Sequence, residues 1–154
     1  SQEKVDKLID IYLDTHQNTH LIFEYLFKIN PKKAFKYLNI SKSELLLDIF
    51  WLVDVKDLNL DIITKNNYLM ELYTARGDLN LSKRSDVFEF DVLINLNKEV
   101  DATLSFEYVC DRCKQTSPFS FSRCSKCHGV DTLVIEMNLI KDYYRNFNEE
   151  NNSF

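Results

Sequence analysis

Apolar side chains in the first 80 residues of the chain recur at the three- and four-residue spacing of amphipathic helices. The spacing predicts five helices: residues 3–14, residues 20–29, a short helix that begins at Pro31, a helix from Ser41 to Val53, and a helix from Asp61 to Arg76. Asn30 precedes Pro31 as a helix N-cap would, and the sequence from Ser41 to Glu44 has the form of a capping box. Gly77 is placed where a glycine commonly ends a helix. We therefore expect an antiparallel array of short helices, as in helical-repeat proteins.

Beyond residue 80 the period changes to the two-residue alternation that is typical of β-strands. Apolar and polar positions alternate from Phe88 to Leu96 and again from Leu104 to Cys110. A third β-prone run extends from Thr132 to Met137, and the end of the chain is rich in asparagine and glutamate. We therefore expect three strands in the second half of the chain, followed by a polar tail, and we place a domain boundary near residue 80.

All four cysteines lie in one stretch, as two Cys-x-x-Cys pairs with ten residues between them: Cys110, Cys113, Cys124 and Cys127. Each pair forms a tight turn that directs two sulfurs at one metal, and ten residues suffice for a hairpin that brings the pairs together. Four thiolates suit zinc and also a single iron, as in rubredoxin, and the ligand set alone does not separate the two metals. We expect Zn²⁺ in a structural role, because a closed zinc thiolate site needs no redox partner.

The cysteine stretch resembles the metal-binding domains of two known families. The resemblance is carried by Tyr-Val-Cys-Asp-Arg-Cys at 108–113, Ser-Pro at 117–118, Cys-Ser-Lys-Cys at 124–127 and Asp-Thr-Leu-Val-Ile-Glu at 131–136. These segments are similar to the zinc ribbon of the bacterial recombination protein RadA and to the rubredoxin-like C-terminal domain of the lipopolysaccharide assembly protein B family. This sequence departs from both families at Lys114 and Ser125, where they usually carry glycine and proline, and it lacks the tryptophans that they carry near the second cysteine pair.

The resemblance to the lipopolysaccharide assembly family also fits the order of the two parts. That family places its ribbon after tetratricopeptide helices, and the segment from Ile29 to Leu38 is similar to a tetratricopeptide repeat junction. The resemblance implies a bacterial, cytoplasmic regulator with protein partners. It implies tethering to the inner membrane only through a segment before Ser1, and because the chain does not begin with methionine we expect it to be a trimmed fragment. The RadA ATPase function is not implied, since the chain has no G-x-x-x-x-G-K-[ST] sequence.

These observations predict an α+β protein with three consecutive parts. We expect residues 1–80 to form an antiparallel, tetratricopeptide-like helical domain. Residues 81–140 are expected to form a small β-rich part with the zinc ribbon, whose metal site covers residues 108–130. Residues 141–154 are expected to form the polar tail.

Other residues with metal-binding chemistry have simpler interpretations. His16 and His20 are four residues apart, but without a third ligand nearby we interpret them as a solvated helix end. His128 follows the last cysteine, where a surface imidazole is expected. The aspartates from Asp48 to Asp61 have no metal-loop spacing.

The expected function is that of a non-enzymatic adaptor or regulator that binds a protein partner. The net charge of −5 argues against nucleic-acid binding by the chain as a whole, and no nucleophile–base constellation indicates an enzyme. An alternative is a nucleic-acid-binding ribbon, since Phe119 and Phe121 accompany four basic residues there: Arg112, Lys114, Arg123 and Lys126. We expect these phenylalanines instead to pack the ribbon. A second alternative is an iron-containing, rubredoxin-like electron-transfer module.

Overall fold

A computed structural model describes residues 1–15, 19–96 and 101–142 of the chain. Its α-helices are α1 (Gln2–Thr15), α2 (His20–Ile29), α3 (Pro31–Tyr37), α4 (Leu47–Leu52), α5 (Leu60–Ile63), α6 (Asn67–Arg76) and α7 (Phe88–Leu96). Two 3₁₀ helices cover Ile40–Leu46 and Val55–Asp57, and the strands are β1 (Ala102–Cys110), β2 (Thr116–Ser117) and β3 (Leu133–Lys141). The predicted α+β class is confirmed, with the helices first and a three-stranded antiparallel sheet last, where the cysteines lie.

The first three predicted helices are present, and the cap predicted at Asn30 forms. The Asn30 side chain accepts a hydrogen bond of 3.1 Å from the Lys33 amide, and Pro31 occupies the first turn of α3. Gly77 ends α6 with a φ of 95°, a left-handed conformation that glycine adopts without steric cost.

The predicted capping box at Ser41 is wrong. Asn39, two residues before Ser41, accepts hydrogen bonds from the Ser41 amide (3.3 Å) and the Ser41 hydroxyl (2.7 Å), and thereby starts a 3₁₀ helix. The α-helix begins only at Leu47. The predicted helix from Asp61 to Arg76 is likewise interrupted, because Asn66 leaves the helical conformation and caps α6 with a 2.9 Å bond from the Leu69 amide.

The strand predicted from Phe88 to Leu96 is wrong, since this segment forms α7. Phe90 and Leu93 are three residues apart and both are buried, so the segment satisfies a helical period as well as an alternating one. Asp91 fixes the first turn by accepting two 3.0 Å bonds from the Arg84 guanidinium and one from the Ser85 amide. Helix α7 packs against α6, where the Phe90 ring contacts Tyr68 at a centroid distance of 5.4 Å.

The sheet has the order β2-β1-β3, and both neighbours run antiparallel to the central strand. The register pairs Cys110 with Leu133 and Ala102 with Lys141, so that β1 and β3 are paired along their whole length. Leu104 on β1 is buried in the same cluster as the helical core, and Phe106 packs against that cluster. The sheet is therefore fastened to the helices by apolar contacts as well as by the polar contacts described below. The proposed division of the chain at residue 80 stays a prediction.

The helical core is built around fully buried aromatic residues of α2, α4 and α6. Phe23, Phe50 and Tyr73 are each 0% exposed, and the Tyr73 hydroxyl donates a 2.9 Å bond to the Phe50 carbonyl. Arg76 donates to the carbonyls of Trp51 (3.0 Å) and Val53, which satisfies acceptors that the end of α4 would otherwise leave open. These bonds hold the end of α4 against α6. Among the described residues, no helix is long and apolar enough to cross a membrane.

Candidate metal centre

The fold brings the four cysteine sulfurs into one cluster, with every Sγ atom within 4.8 Å of the others. Two contacts are shorter: Cys110 and Cys127 have their sulfurs 3.6 Å apart, and Cys113 and Cys124 do as well. Zn–S bonds of about 2.3 Å in a tetrahedron place sulfurs about 3.8 Å apart, so the cluster has the dimensions of a four-thiolate site. A four-cysteine metal-binding site is therefore present, and its geometry accepts zinc or iron.

Both Cys-x-x-Cys turns have the same backbone structure. The amide four residues after the first cysteine donates to that cysteine's carbonyl, from Lys114 to Cys110 (2.8 Å) and from His128 to Cys124 (2.9 Å). Lys114 and His128 also share a left-handed conformation, with φ values of 64° and 62°. The expectation of an exposed imidazole at His128 is confirmed. The two turns thus present their sulfurs to a common point from opposite sides.

The second Cys-x-x-Cys turn is followed by Gly129, whose backbone packs closely against the Cys127 sulfur. A Cβ atom at Gly129 would lie 2.9 Å from the Thr132 methyl and 3.3 Å from the Cys127 sulfur. The Gly129 amide is 3.4 Å from the same sulfur and donates to it. Only glycine allows the backbone to approach the sulfur this closely without displacing its neighbours.

Hydrogen bonds favour the thiolate form of two sulfurs, and crowding opposes it at a third. A hydrogen bond with the Thr132 hydroxyl, 3.1 Å away, lowers the pKa of the Cys110 thiol to about 6. The Cys127 amide lowers the pKa of Cys124. At Cys127 the Gly129 amide favours the thiolate, but burial and the three other sulfurs outweigh it and raise the pKa of Cys127 to about 11. Thiolates this close repel one another, so a cation is needed before all four lose their protons.

The ribbon is attached to the helices by a carboxylate that lies outside the cysteine stretch. Asp48 on α4 is 4% exposed, and both of its oxygens lie 2.9 Å from His20 Nε2. The Tyr108 hydroxyl donates a 2.5 Å bond to Asp48 Oδ2. Burial and the Asp48 carboxylate raise the pKa of Tyr108, which keeps this donor protonated. Tyr108 precedes the metal-site residue Cys110 by two positions, so the metal site and the helical core are directly linked.

A second polar contact ties the segment between the two cysteine pairs to α2. The Ser120 hydroxyl donates a 3.0 Å bond to Glu24 Oε2, and the same oxygen lies 3.5 Å from His20 Nδ1. His20 therefore lies between two carboxylates and is not the solvated helix end that the sequence predicted. His16, its proposed companion, lies outside the described residues. We call the contacts among His20, Glu24, Asp48, Tyr108 and Ser120 the seam.

The basic residues of the ribbon all face solvent: Arg112, Lys114, Arg123 and Lys126. Phe119 is 76% exposed, so the expectation that it packs the ribbon is wrong, whereas Phe121 is half-buried. Phe119 follows Pro118 in a turn held by the Ser117 hydroxyl, which accepts from the Phe119 amide and donates to its carbonyl. This turn holds the backbone at Phe119 in place while its ring faces solvent.

Comparison with known proteins identified no relative of this chain. No protein family, no curated protein and no solved structure matches it. The resemblance to the RadA and lipopolysaccharide assembly families therefore rests on the ribbon residues alone, and the site is described as zinc-ribbon-like on its cysteine geometry.

Proposed function

We propose that this protein is a non-enzymatic, protein-binding adaptor or regulator whose ribbon holds one structural Zn²⁺. The observation that carries the metal-binding part of the proposal is the closed set of four cysteine sulfurs, each within 4.8 Å of the others. Zinc sites with four cysteine ligands are structural, because a catalytic zinc keeps a position open for water or substrate. The seam supports a structural role, since it makes the ribbon a fixed extension of the helical core.

Large apolar side chains on the surface support the protein-binding part of the proposal. Leu8, Leu52, Phe88 and Phe119 are each between 66% and 79% exposed. Phenylalanine is among the residues enriched at protein–protein interfaces, so Phe88 and Phe119 are the candidate anchors. Reduced thiolate ligands favour a reducing compartment, and we propose a cytoplasmic location on that ground.

The metal is tested by elemental analysis of the purified protein. We expect about one zinc per chain and no visible absorption, following the single four-ligand set. A red protein with about one iron per chain would replace this proposal with the electron-transfer alternative. We expect Cys113→Ser to release the metal and unfold the ribbon, because a lost ligand removes metal-coupled folding energy. Retained metal and unchanged stability in that variant would contradict the assignment.

The adaptor role is tested by affinity capture of the full-length protein from its native cell, followed by mass spectrometry. We expect discrete protein partners whose recovery falls when Phe119 or Leu52 is replaced by serine, with Glu3→Gln as a control at an exposed position on α1. Recovery of nucleic acid and its usual proteins alone would contradict the adaptor.

One observation favours nucleic-acid binding as a second candidate function. Phe119 is exposed on the same ribbon as four exposed basic residues, which is the combination that single-strand binding uses. Binding of this kind weakens steeply as salt rises, because phosphate contacts release counterions. Tight, salt-dependent binding of a single strand that is lost in an Arg112/Arg123 double alanine variant would establish this function in place of the adaptor.

A further inference from the structure

A cleft of about 320 Å³ opens along the seam between α2, α4 and the end of β1. Its floor is apolar: Phe27, Ile49 and Val53 line it and are each 7% exposed. Leu52 stands at its rim with 79% of its surface exposed. The smallest ligand-binding pockets in proteins have volumes of about 300 Å³. The volume of this cleft is therefore enough for one large side chain and little more.

The lining of the cleft is strongly acidic. Four carboxylates line it, from Glu24, Asp48, Asp54 and Asp57, and Lys28 is the one cation among the described lining residues. Glu24 and Asp48 already bind seam residues. Asp54 and Asp57 therefore carry the charge that is open to a ligand.

A 3₁₀ turn connects Asp54 and Asp57. Asp54 precedes the 3₁₀ turn Val55–Asp57, and Asp57 is its last residue. The Asp57 amide donates a 2.9 Å bond to the Asp54 carbonyl and closes the turn. Asp54 itself has an extended backbone (φ −62°, ψ 141°), and its side chain caps the turn by accepting a 3.1 Å bond from the Lys56 amide. Lys56, between the two aspartates, lines a neighbouring cavity together with Pro31, and Asp57 borders both cavities. Both aspartates line the same cleft, and a cation placed there is attracted to both carboxylates.

We propose that this cleft binds an arginine side chain of a protein partner. The aliphatic stem of the arginine lies along the apolar floor and covers Leu52, and its guanidinium faces Asp54 and Asp57. Arginine suits the site better than lysine, because its planar fork of five donors spans two carboxylates and its charge is more weakly hydrated. This inference rests on the proposed adaptor function and names the chemistry of the partner at one surface.

The binding experiment uses N-acetyl-arginine amide as the probe and the full chain as the protein. We expect saturable shifts of the backbone amide signals of Leu52, Asp54 and Asp57 in a nitrogen–proton correlation spectrum. N-acetyl-citrulline amide has nearly the same shape without the charge and is the matched control. Shifts that do not saturate, that appear at other acidic surfaces, or that citrulline reproduces would overturn the proposal.

Two substitutions assign the binding to the pair. Asp54→Asn keeps the bond that Asp54 accepts from the Lys56 amide, so the turn stays capped while the charge is lost. Asp57→Asn removes the charge of the second carboxylate in the same way. We expect each to weaken binding of the probe by about threefold to fivefold, as loss of a partly exposed ion pair does. Glu3→Gln on α1 removes the same charge elsewhere, and it should leave the affinity unchanged. Equal affinity in all three variants would exclude the pair as the site.

Affinity capture with the Asp54→Asn/Asp57→Asn double variant separates this inference from the adaptor function. If the wild-type protein captures partners and the double variant captures fewer, both stand. If capture is unchanged and the probe does not bind, the cleft proposal fails and the adaptor stands. If the wild-type protein captures no protein, the adaptor fails, and the probe experiment alone decides whether the cleft binds arginine.

Discussion

Thr132 is a residue outside the cysteines whose side chain forms a hydrogen bond with a metal-site sulfur. Its hydroxyl is 3.1 Å from the Cys110 sulfur and favours the thiolate. We expect Thr132→Val, which keeps the shape of the side chain, to weaken zinc binding by about tenfold, as loss of a hydrogen bond to a ligand does. Competition with a chelator measures this. Thr116→Val on the exposed strand β2 is the control, and equal zinc affinities in the two variants would show that the Thr132 bond is unimportant.

Lys114 adopts a left-handed conformation that costs a residue with a Cβ atom about 1 kcal/mol. We expect Lys114→Gly to raise the free energy of unfolding by about 0.5–1 kcal/mol, measured in urea on the zinc-loaded protein. Lys126 is an exposed lysine in the second cysteine turn without a positive φ, so Lys126→Gly should lower stability instead. An equal effect of both substitutions would rule out the conformational explanation.

At the scale of elements, the pairing of β1 and β3 contains one unfavourable pair. Glu107 lies directly opposite Glu136, and both are exposed. Like charges opposite each other destabilise an antiparallel pair, whereas opposite charges contribute roughly 0.2–1 kcal/mol. We expect Glu136→Lys to raise the unfolding free energy by about 0.5–1 kcal/mol at low salt, with the gain shrinking at high salt. Thermal unfolding at two salt concentrations measures it, and a gain that is independent of salt would point to a cause other than charge.

At the scale of the whole molecule, the seam makes stability depend on pH. Burial opposes the ionisation of Asp48, but hydrogen bonds from His20 and Tyr108 outweigh it and lower the pKa of Asp48 below the ordinary value of 3.8. The unfolded chain therefore takes up this proton at a higher pH than the folded protein does. The stabilisation is complete above the ordinary value and is lost as the pH falls through the lowered pKa.

Asp48→Asn tests this linkage, because it keeps the shape of the side chain and removes the charge. We expect the variant to be less stable by about 1–3 kcal/mol at neutral pH, with the difference shrinking below about pH 4. Urea unfolding at a series of pH values measures the difference. Loss of metal in acid affects both proteins and cancels in the comparison. A difference that stays constant down to pH 3 would contradict the role assigned to the Asp48 charge.

Local patterns in the sequence predicted those parts of the molecule that local forces determine. The cysteine spacing, the Asn30 cap, Gly77 and strand β1 each depend on neighbouring residues, and each was found where predicted. The segment from Phe88 to Leu96 fits both the two-residue period of a strand and the helical period. Its packing against α6 favours the helix. The seam had no local signal, since Asp48 and Tyr108 are brought together only by the complete fold.

The groups that meet in the seam are also far apart in the order of synthesis. Tyr108 is 60 residues from Asp48, and Ser120 is 96 residues from Glu24. A chain emerging from the ribosome can therefore assemble its helices while the groups that complete the seam have yet to be made. During that interval Asp48 has His20 alone as a seam partner, and a half-satisfied polar network is costly. We expect the nascent helices to stay loosely joined until the cysteines follow, so that capture of the metal comes after the synthesis of the helices and completes their packing.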